Sequence, residues 1–152
     1  MVFIVAKLNS GTLATQQTLV SSCNALSTSG DFVLDNFSSK IRARYKGGST
    51  TYSVTPSTQL NDYNPSIYTQ GEATQVGVWR NGGTPKKLVL PLASTTARPL
   101  CIGAADTTGT TAFLGDIGEV LVYDKSKTFG TRKMIECYLA KKWGVDVSGQ
   151  TD

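Results

Sequence analysis

The chain contains no histidine. That single absence removes Ser–His–Asp and Cys–His nucleophilic systems, imidazole general acid–base work and His-ligated zinc or iron. Any enzyme built on this sequence would have to run on carboxylates, lysine, tyrosine or a hard metal ion. Cysteine is scarce too: Cys23, Cys101 and Cys137 are far apart, odd in number and without a CxxC pair. This pattern argues against a disulfide framework and against a zinc ribbon, so all three are expected to be reduced and mostly buried. No apolar run approaches the roughly 18 residues that a membrane span requires, so no membrane insertion is expected. The opening MVFIVAK is too short for a signal-peptide core, lacks a basic head and has no small-residue cleavage site after it. No export signal is therefore expected, which would leave the chain cytoplasmic until it is assembled into something larger. Charge is low as well, at 17% of residues, and nearly balanced, with 15 cationic residues against 11 anionic. Without a basic cluster such a balance does not imply nucleic acid.

What replaces charge is Ser, Thr, Asn and 15 Gly, a mixture that favours strands and turns. The 152 residues fit one domain with a single core. Strands are predicted at Val2–Lys7, Gln17–Ser22, Asp31–Asp35, Lys40–Lys46, Thr74–Arg80, Lys86–Leu92, Leu100–Ala104 and Ile117–Tyr123. The first is apolar on both faces and reads as central in a sheet; the last two read as short and buried. In KIRARYK, Ile41, Ala43 and Tyr45 face one way, and Lys40, Arg42, Arg44 and Lys46 the other. The polar stretch from Gly47 to Glu72 should hold one or two short strands and a substantial surface loop around NDYNPSIY. NGG at 81–83 is a tight-turn signal joining two of the strands. One helix is predicted after all the strands, over Phe129–Trp143. Thr128 would be its N-cap, Lys141 and Lys142 would suit its negative end, and Gly144 would close it. Ile135, Tyr138, Leu139 and Trp143 are spaced for one apolar helical face, and Met134 pairs with Tyr138 at i, i+4. Many short strands with one closing helix predict an all-β antiparallel sandwich with that helix on an edge or end.

The motif that comes nearest to chemistry is GDIGEVLVYD, residues 115–124, where Asp116, Glu119 and Asp124 accompany a β-branched run. If the strand is regular through Gly118, Asp116 and Glu119 point to opposite sheet faces. They then cannot flank one glycosidic bond, which needs carboxyls about 5–5.5 Å or roughly 6.5–9.5 Å apart. The expected roles are structural: Asp116 fixing the turn, Glu119 bonding backbone amides or a basic residue. No catalytic residue is assigned. Asp106, Asp116 or Asp124 could contribute to a structural calcium, but carboxylates are few and no EF-hand spacing is present, so no metal ligand or cofactor is assigned.

PLCIGA (99–104), FLGDIGEVLVYD (113–124) and YLAKKWGV (138–145) together resemble the ending of the laminin-G-like jelly-roll domains of the concanavalin A-like lectin/glucanase superfamily. VFIVAK and QTLVSS resemble the middle of such a domain more loosely. The first turn of the predicted helix, KTFGTRK, lacks the acidic residues usual in the family. The resemblance implies a lectin-like jelly roll over residues 1–152, strands about 2–123 and helix about 129–143, with a binding role, often to glycans and sometimes with calcium. Glucanases of the superfamily carry an E-x-D-x-E pattern that is not matched here. The family normally has strands before the one at residue 2, so this domain resembles an N-terminally shortened one. An open place beside Val2 and Phe3 would then recruit other chains.

Three surfaces follow. Trp79, beside Gly77 on one face of TQVGVWR and next to Asn81, could be a stacking platform for a sugar ring, with Tyr45, Tyr63 and Tyr68 as further wet aromatics; the favoured reading is that Trp79 is core, with Val76 and Val78 facing the second layer. Val2 and Phe3 are candidate contacts to other protein subunits, in a homo-oligomer or a larger assembly. Arg42 and Arg44 could meet phosphate or an acidic partner, or be a solvated strand face that deters edge pairing. The expected function is a non-catalytic, lectin-like binding or structural module of a larger assembly, by analogy of fold a capsid-decorating or tail protein of a phage virion. The alternative is a free-standing carbohydrate-binding module.

Overall fold

Strict alternation along the first strand shows how the molecule is layered. In the computed structural model, β1 (Val2–Leu8) sends Val2, Ile4, Ala6 and Leu8 into one buried cluster, and Phe3 and Val5 into another on the opposite side. A strand buried on both faces must lie inside a sheet with a layer above and below it, as its sequence predicted. The structure describes residues 1–9, 15–24, 26, 27, 31–47, 49–55, 64–71, 75–89 and 99–147.

Among these residues two antiparallel five-stranded sheets face each other. β2 (Gln17–Ser21), β3 (Phe32–Phe37), β4 (Lys40–Gly47) and β5 (Thr50–Val54) lie in one sheet; β6 (Ser66–Gln70), β7 (Gln75–Arg80) and β8 (Lys86–Val89) join β1 in the other. β9 (Cys101–Ile102) and β10 (Gly115–Val122) complete the strands, and α1 (Phe129–Trp143) follows. The first sheet runs β10-β1-β6-β7-β8 and the second β5-β4-β3-β2-β9. Between them lie Ile4, Leu19, Val20, Leu34, Ile41, Ala43, Tyr68, Val76 and Val78, a dry interface typical of face-to-face sheets. α1 covers the outer face of the first sheet, where Leu139, Ala140 and Val145 pack on Phe3, Val5 and Ile67. The expected all-β sandwich with one C-terminal helix is the observed fold.

Several expectations change in the details. Val2 and Phe3 have no open neighbour position: β1 pairs with β10 from Val2↔Val122 to Leu8↔Gly115, and with β6 from Val2↔Gln70 to Ala6↔Ser66. Both residues are buried because the places on either side of β1 are filled from within the chain. Among its described residues, the polar stretch after Gly47 yields two strands, and the second, β6, is central. Ser66, Ile67 and Tyr68 of the expected loop NDYNPSIY are thus buried, while Tyr63 lies outside the described residues. β9 and β10, expected to be buried, are edge strands with Ile102 and Val122 exposed. The helix has the predicted bounds. The Thr128 hydroxyl accepts from the Thr131 amide, and Gly144 closes the helix at φ 65°, where a side chain would be strained.

Candidate functional site

β10 carries the acidic motif, and its register decides what the acids can do. Val5 pairs with Glu119 but Ala6 pairs with Ile117, so Gly118 is an extra residue, a β-bulge. Because Lys7 opposes Asp116 and Val5 opposes Glu119, both acids face the helix side of the sheet. The regular-strand expectation, which put them on opposite faces, fails at this one residue. Gly118 is required there: a Cβ would lie 2.8 Å from the ring of Trp143, which rests on the bulge.

Trp143 in turn donates its indole N–H to Glu119 Oε2 at 2.8 Å. The Tyr138 hydroxyl donates to Glu119 Oε1 at 3.4 Å, the Lys142 ammonium donates to the Tyr138 oxygen at 3.1 Å, and it lies 3.0 Å from Glu119 Oε2. The indole hydrogen bond first, and then Lys142, hold the Glu119 carboxyl below its usual range; Lys142 is raised through Tyr138 and Glu119. A general acid of glycoside hydrolysis needs the opposite shift. Glu119 is engaged by donors from the last two turns of α1, Lys142 among them, which agrees with its expected pairing with a basic residue.

Trp79 does not form an open platform. It is 3% exposed, on the helix side of β7, with its ring over Gly77, where a Cβ would come within 2.6 Å. The Arg132 guanidinium covers the ring at 4.9 Å and donates to Glu136 Oε1 at 2.9 Å and Oε2 at 2.7 Å. Thr69 of β6 donates to Glu136 Oε1 at 2.8 Å. The core alternative for Trp79 is the observed one, since Val76 and Val78 face the second sheet. Tyr68 is likewise core, not surface. The predicted apolar helical face is also corrected: α1 buries Arg132, Glu136, Leu139 and Ala140, while Tyr138 is 51% and Met134 74% exposed. A charged pair that satisfies its own polar atoms and lies against an indole can occupy such a face.

Asn81 is a turn residue at φ 50° whose side-chain oxygen accepts from the Ile67 amide at 2.8 Å. Tyr45 is half-buried on β4, opposite Phe32 on one side and Tyr52 on the other, and burial raises its phenol. The structure does not bring Trp79, Asn81 and Tyr45 together as one site: the first two flank the β7–β8 turn, and Tyr45 belongs to the other sheet. Arg42 and Arg44 meet instead on buried Asp35 of β3. Arg42 forms a two-point contact at 3.0 and 2.8 Å and stacks on Phe37 at 4.0 Å; Arg44 donates at 2.6 Å. Burial lowers the Arg44 guanidinium against the pull of Asp35. The row is thus only partly a solvated strand face, because one carboxylate engages its two central members.

Cys23 and Cys101 form a disulfide, which corrects the expectation that all three thiols are reduced. Ser21 pairs with Cys101 across β2 and β9, and this register brings Cys23 to a Cα–Cα distance of 4.9 Å, within bonding reach. Cys137 is exposed on α1, not buried. Asp106 Oδ1 accepts from the Thr108 amide and hydroxyl and from the Thr110 amide, which lowers its carboxyl to about 2. Among the described residues no cluster of three or more His, Cys, Asp or Glu could hold a metal ion, and no helix is long and apolar enough to cross a membrane.

Sequence reasoning missed the Arg132–Glu136 pair and the disulfide. The i, i+4 spacing of Arg132 and Glu136 was visible, but nothing local showed that Thr69 and Trp79 would receive them. The 78-residue separation of the two cysteines carried no spacing signal at all.

No family model and no curated protein sequence matches the chain. Among solved structures it is similar to the mouse laminin alpha1 chain, domains LG4-5, with a TM-score of 0.62 and 11% identity. The match covers 78% of this chain and 33% of that one, and it establishes a laminin-G-like jelly-roll fold.

Proposed function

From the laminin-G-like jelly roll as premise, we propose that this chain is a non-catalytic binding and structural module of a larger assembly, specifically a capsid-decorating or tail protein on a phage virion surface. The observation that carries the non-catalytic reading is the state of Glu119. Trp143 and Tyr138 donate to it and Lys142 lies against it, which holds its carboxyl below the usual range, the opposite of what a general acid requires. The disulfide supports an oxidising setting such as a virion or cell surface over a permanently reducing one. The virion itself rests on analogy of fold.

Two measurements test this reading. Soluble β-glucans incubated with the chain should remain intact; hydrolysis that disappears in Glu119→Gln would overturn the non-catalytic assignment. Light scattering over rising protein concentration should give a mass above one chain, or the chain should co-sediment with particles produced from neighbouring capsid or tail genes. A strict monomer that associates with no particle overturns the assembly. The carbohydrate-binding alternative rested on Trp79, and the Arg132 guanidinium covers that ring. A glycan array would reopen it only with binding that Asn81→Ala or Tyr45→Ala weakens while the fold is retained.

A further inference from the structure

Among the described residues the two sheets end on four edge strands, β10 and β8 in the first, β5 and β9 in the second. Three of them are poor templates for another chain. β8 sets Lys86 beside Lys87, charges that deter pairing; β9 has two residues; β5 has five, mostly with hydroxyl side chains. β10 is the longest edge, and after the bulge at Gly118 it offers an unbroken run, Glu119–Tyr123, free of Lys and Pro. Its ladder with β1 decides which backbone groups face outward. Met1 and Tyr123 exchange both backbone bonds, at 2.7 and 2.8 Å, so Phe3↔Leu121 and Val5↔Glu119 are bonded pairs as well. Val120 and Val122 therefore turn their N–H and C=O groups away from β1, toward the open side. The Val122 side chain is also 54% exposed, an apolar residue on an unguarded edge. α1 packs on Phe3, Val5 and Ile67 of β1 and β6 and leaves this side of β10 accessible.

We propose that the β10 edge pairs with the same edge of a second copy of this chain, antiparallel about a twofold axis at Leu121, joining the two β10-bearing sheets into one. Leu121 is the midpoint of the run between the bulge and the last pair with β1. In this register Val120 and Val122 exchange backbone bonds with Val122 and Val120 of the second copy, so valine meets valine and Leu121 meets Leu121. Glu119 comes opposite Tyr123, whose ring carries the Lys127 ammonium at 4.4 Å, and Asp124 falls beside Gly118. An acid thus meets a cation and no like charges are opposed. This self-complementarity selects a second copy as the occupant, because an isologous interface must fit itself. The proposal rests on the reading of the chain as part of an assembly and names one contact of that assembly.

The test is analytical ultracentrifugation of the whole chain over rising concentration, with Val122→Pro alongside. The wild type should pass from one chain to two. Proline removes an N–H that β1 does not use, so circular dichroism should be unchanged while the concentration of half-dimerisation rises about tenfold or more. A second readout stands apart from that variant: Leu121→Cys in a Cys137→Ser background should cross-link to a dimer under mild oxidation. Residues opposed across a non-bonded pair lie about 4.5 Å apart at Cα, within disulfide reach. Val89→Cys in the same background, exposed on the opposite edge, should stay monomeric on a non-reducing gel. Should Val122→Pro unfold, the cross-link decides. The proposal is overturned by a dimer that Val122→Pro leaves equally stable, or by cross-linking through Val89→Cys and not Leu121→Cys. It is also overturned by a chain that stays monomeric yet binds particles, and loss of that binding in Val122→Pro would show that the edge takes a foreign strand. Either of the last two results leaves the assembly reading in place; a monomer that binds no particle removes both.

Discussion

Both tryptophans sit on glycines. Trp79 lies over Gly77 and Trp143 over Gly118, at separations that leave no room for a methyl group. The first pairing was legible in TQVGVWR, because residues two apart share a strand face. The second joins residues 25 positions apart through the bulge and was not legible. Gly118→Ala should therefore lift Trp143 from β10, break its bond to Glu119 and cost about 1–3 kcal/mol, the usual penalty of overpacking. Chemical denaturation and tryptophan emission would check this. Asp106 offers a second test at the same scale. Its carboxyl falls from 3.8 to about 2 on folding, so its stabilising contribution is complete above the unfolded value and is lost as pH falls from about 4 through about 2. Asp106→Ala should be less stable than the wild type at neutral pH, and the gap should narrow toward pH 2 in thermal melts.

The helix shows how propensity and packing divide the work. Its bounds, caps and terminal lysines follow from Thr128, Lys141, Lys142 and Gly144 and were legible in the sequence. Which face it buries was not, because the periodicity of apolar residues pointed to Tyr138 and Trp143, whereas the sheet offers Thr69 and Trp79 as partners for a charged pair. Removing one member of a buried pair leaves the other uncompensated. Glu136→Leu is expected to cost about 3–5 kcal/mol by orphaning Arg132. The double substitution Arg132→Met with Glu136→Leu should recover much of that loss, which a double-mutant cycle from urea denaturation would reveal. If the double variant loses the sum of what Arg132→Met and Glu136→Leu lose singly, the pair has no coupling energy. The strands follow a similar division: alternation in KIRARYK placed Ile41 and Ala43 in the core, but nothing local revealed that Asp35 would gather Arg42 and Arg44.

At the scale of the molecule, the two-layer architecture and the central place of β1 were readable from apolar runs and turn residues, since burial on both faces leaves a recognisable run. Partners separated by most of the chain were not, and the Cys23–Cys101 bond is the clearest case. It closes a loop across a separation of 78 residues. Reduction, or Cys23→Ala with Cys101→Ala, should destabilise the fold by about 2–4 kcal/mol, measured as a lower denaturation midpoint with reductant present. The same long-range character marks the first sheet. β1, Val2–Leu8, is completed on one side only by β10, Gly115–Val122. During synthesis, then, the segment VFIVA leaves the ribosome more than a hundred residues before its outer neighbour exists. High contact order of this kind slows folding and prolongs the exposure of apolar strand, so VFIVA stays without its outer partner until β10 has emerged.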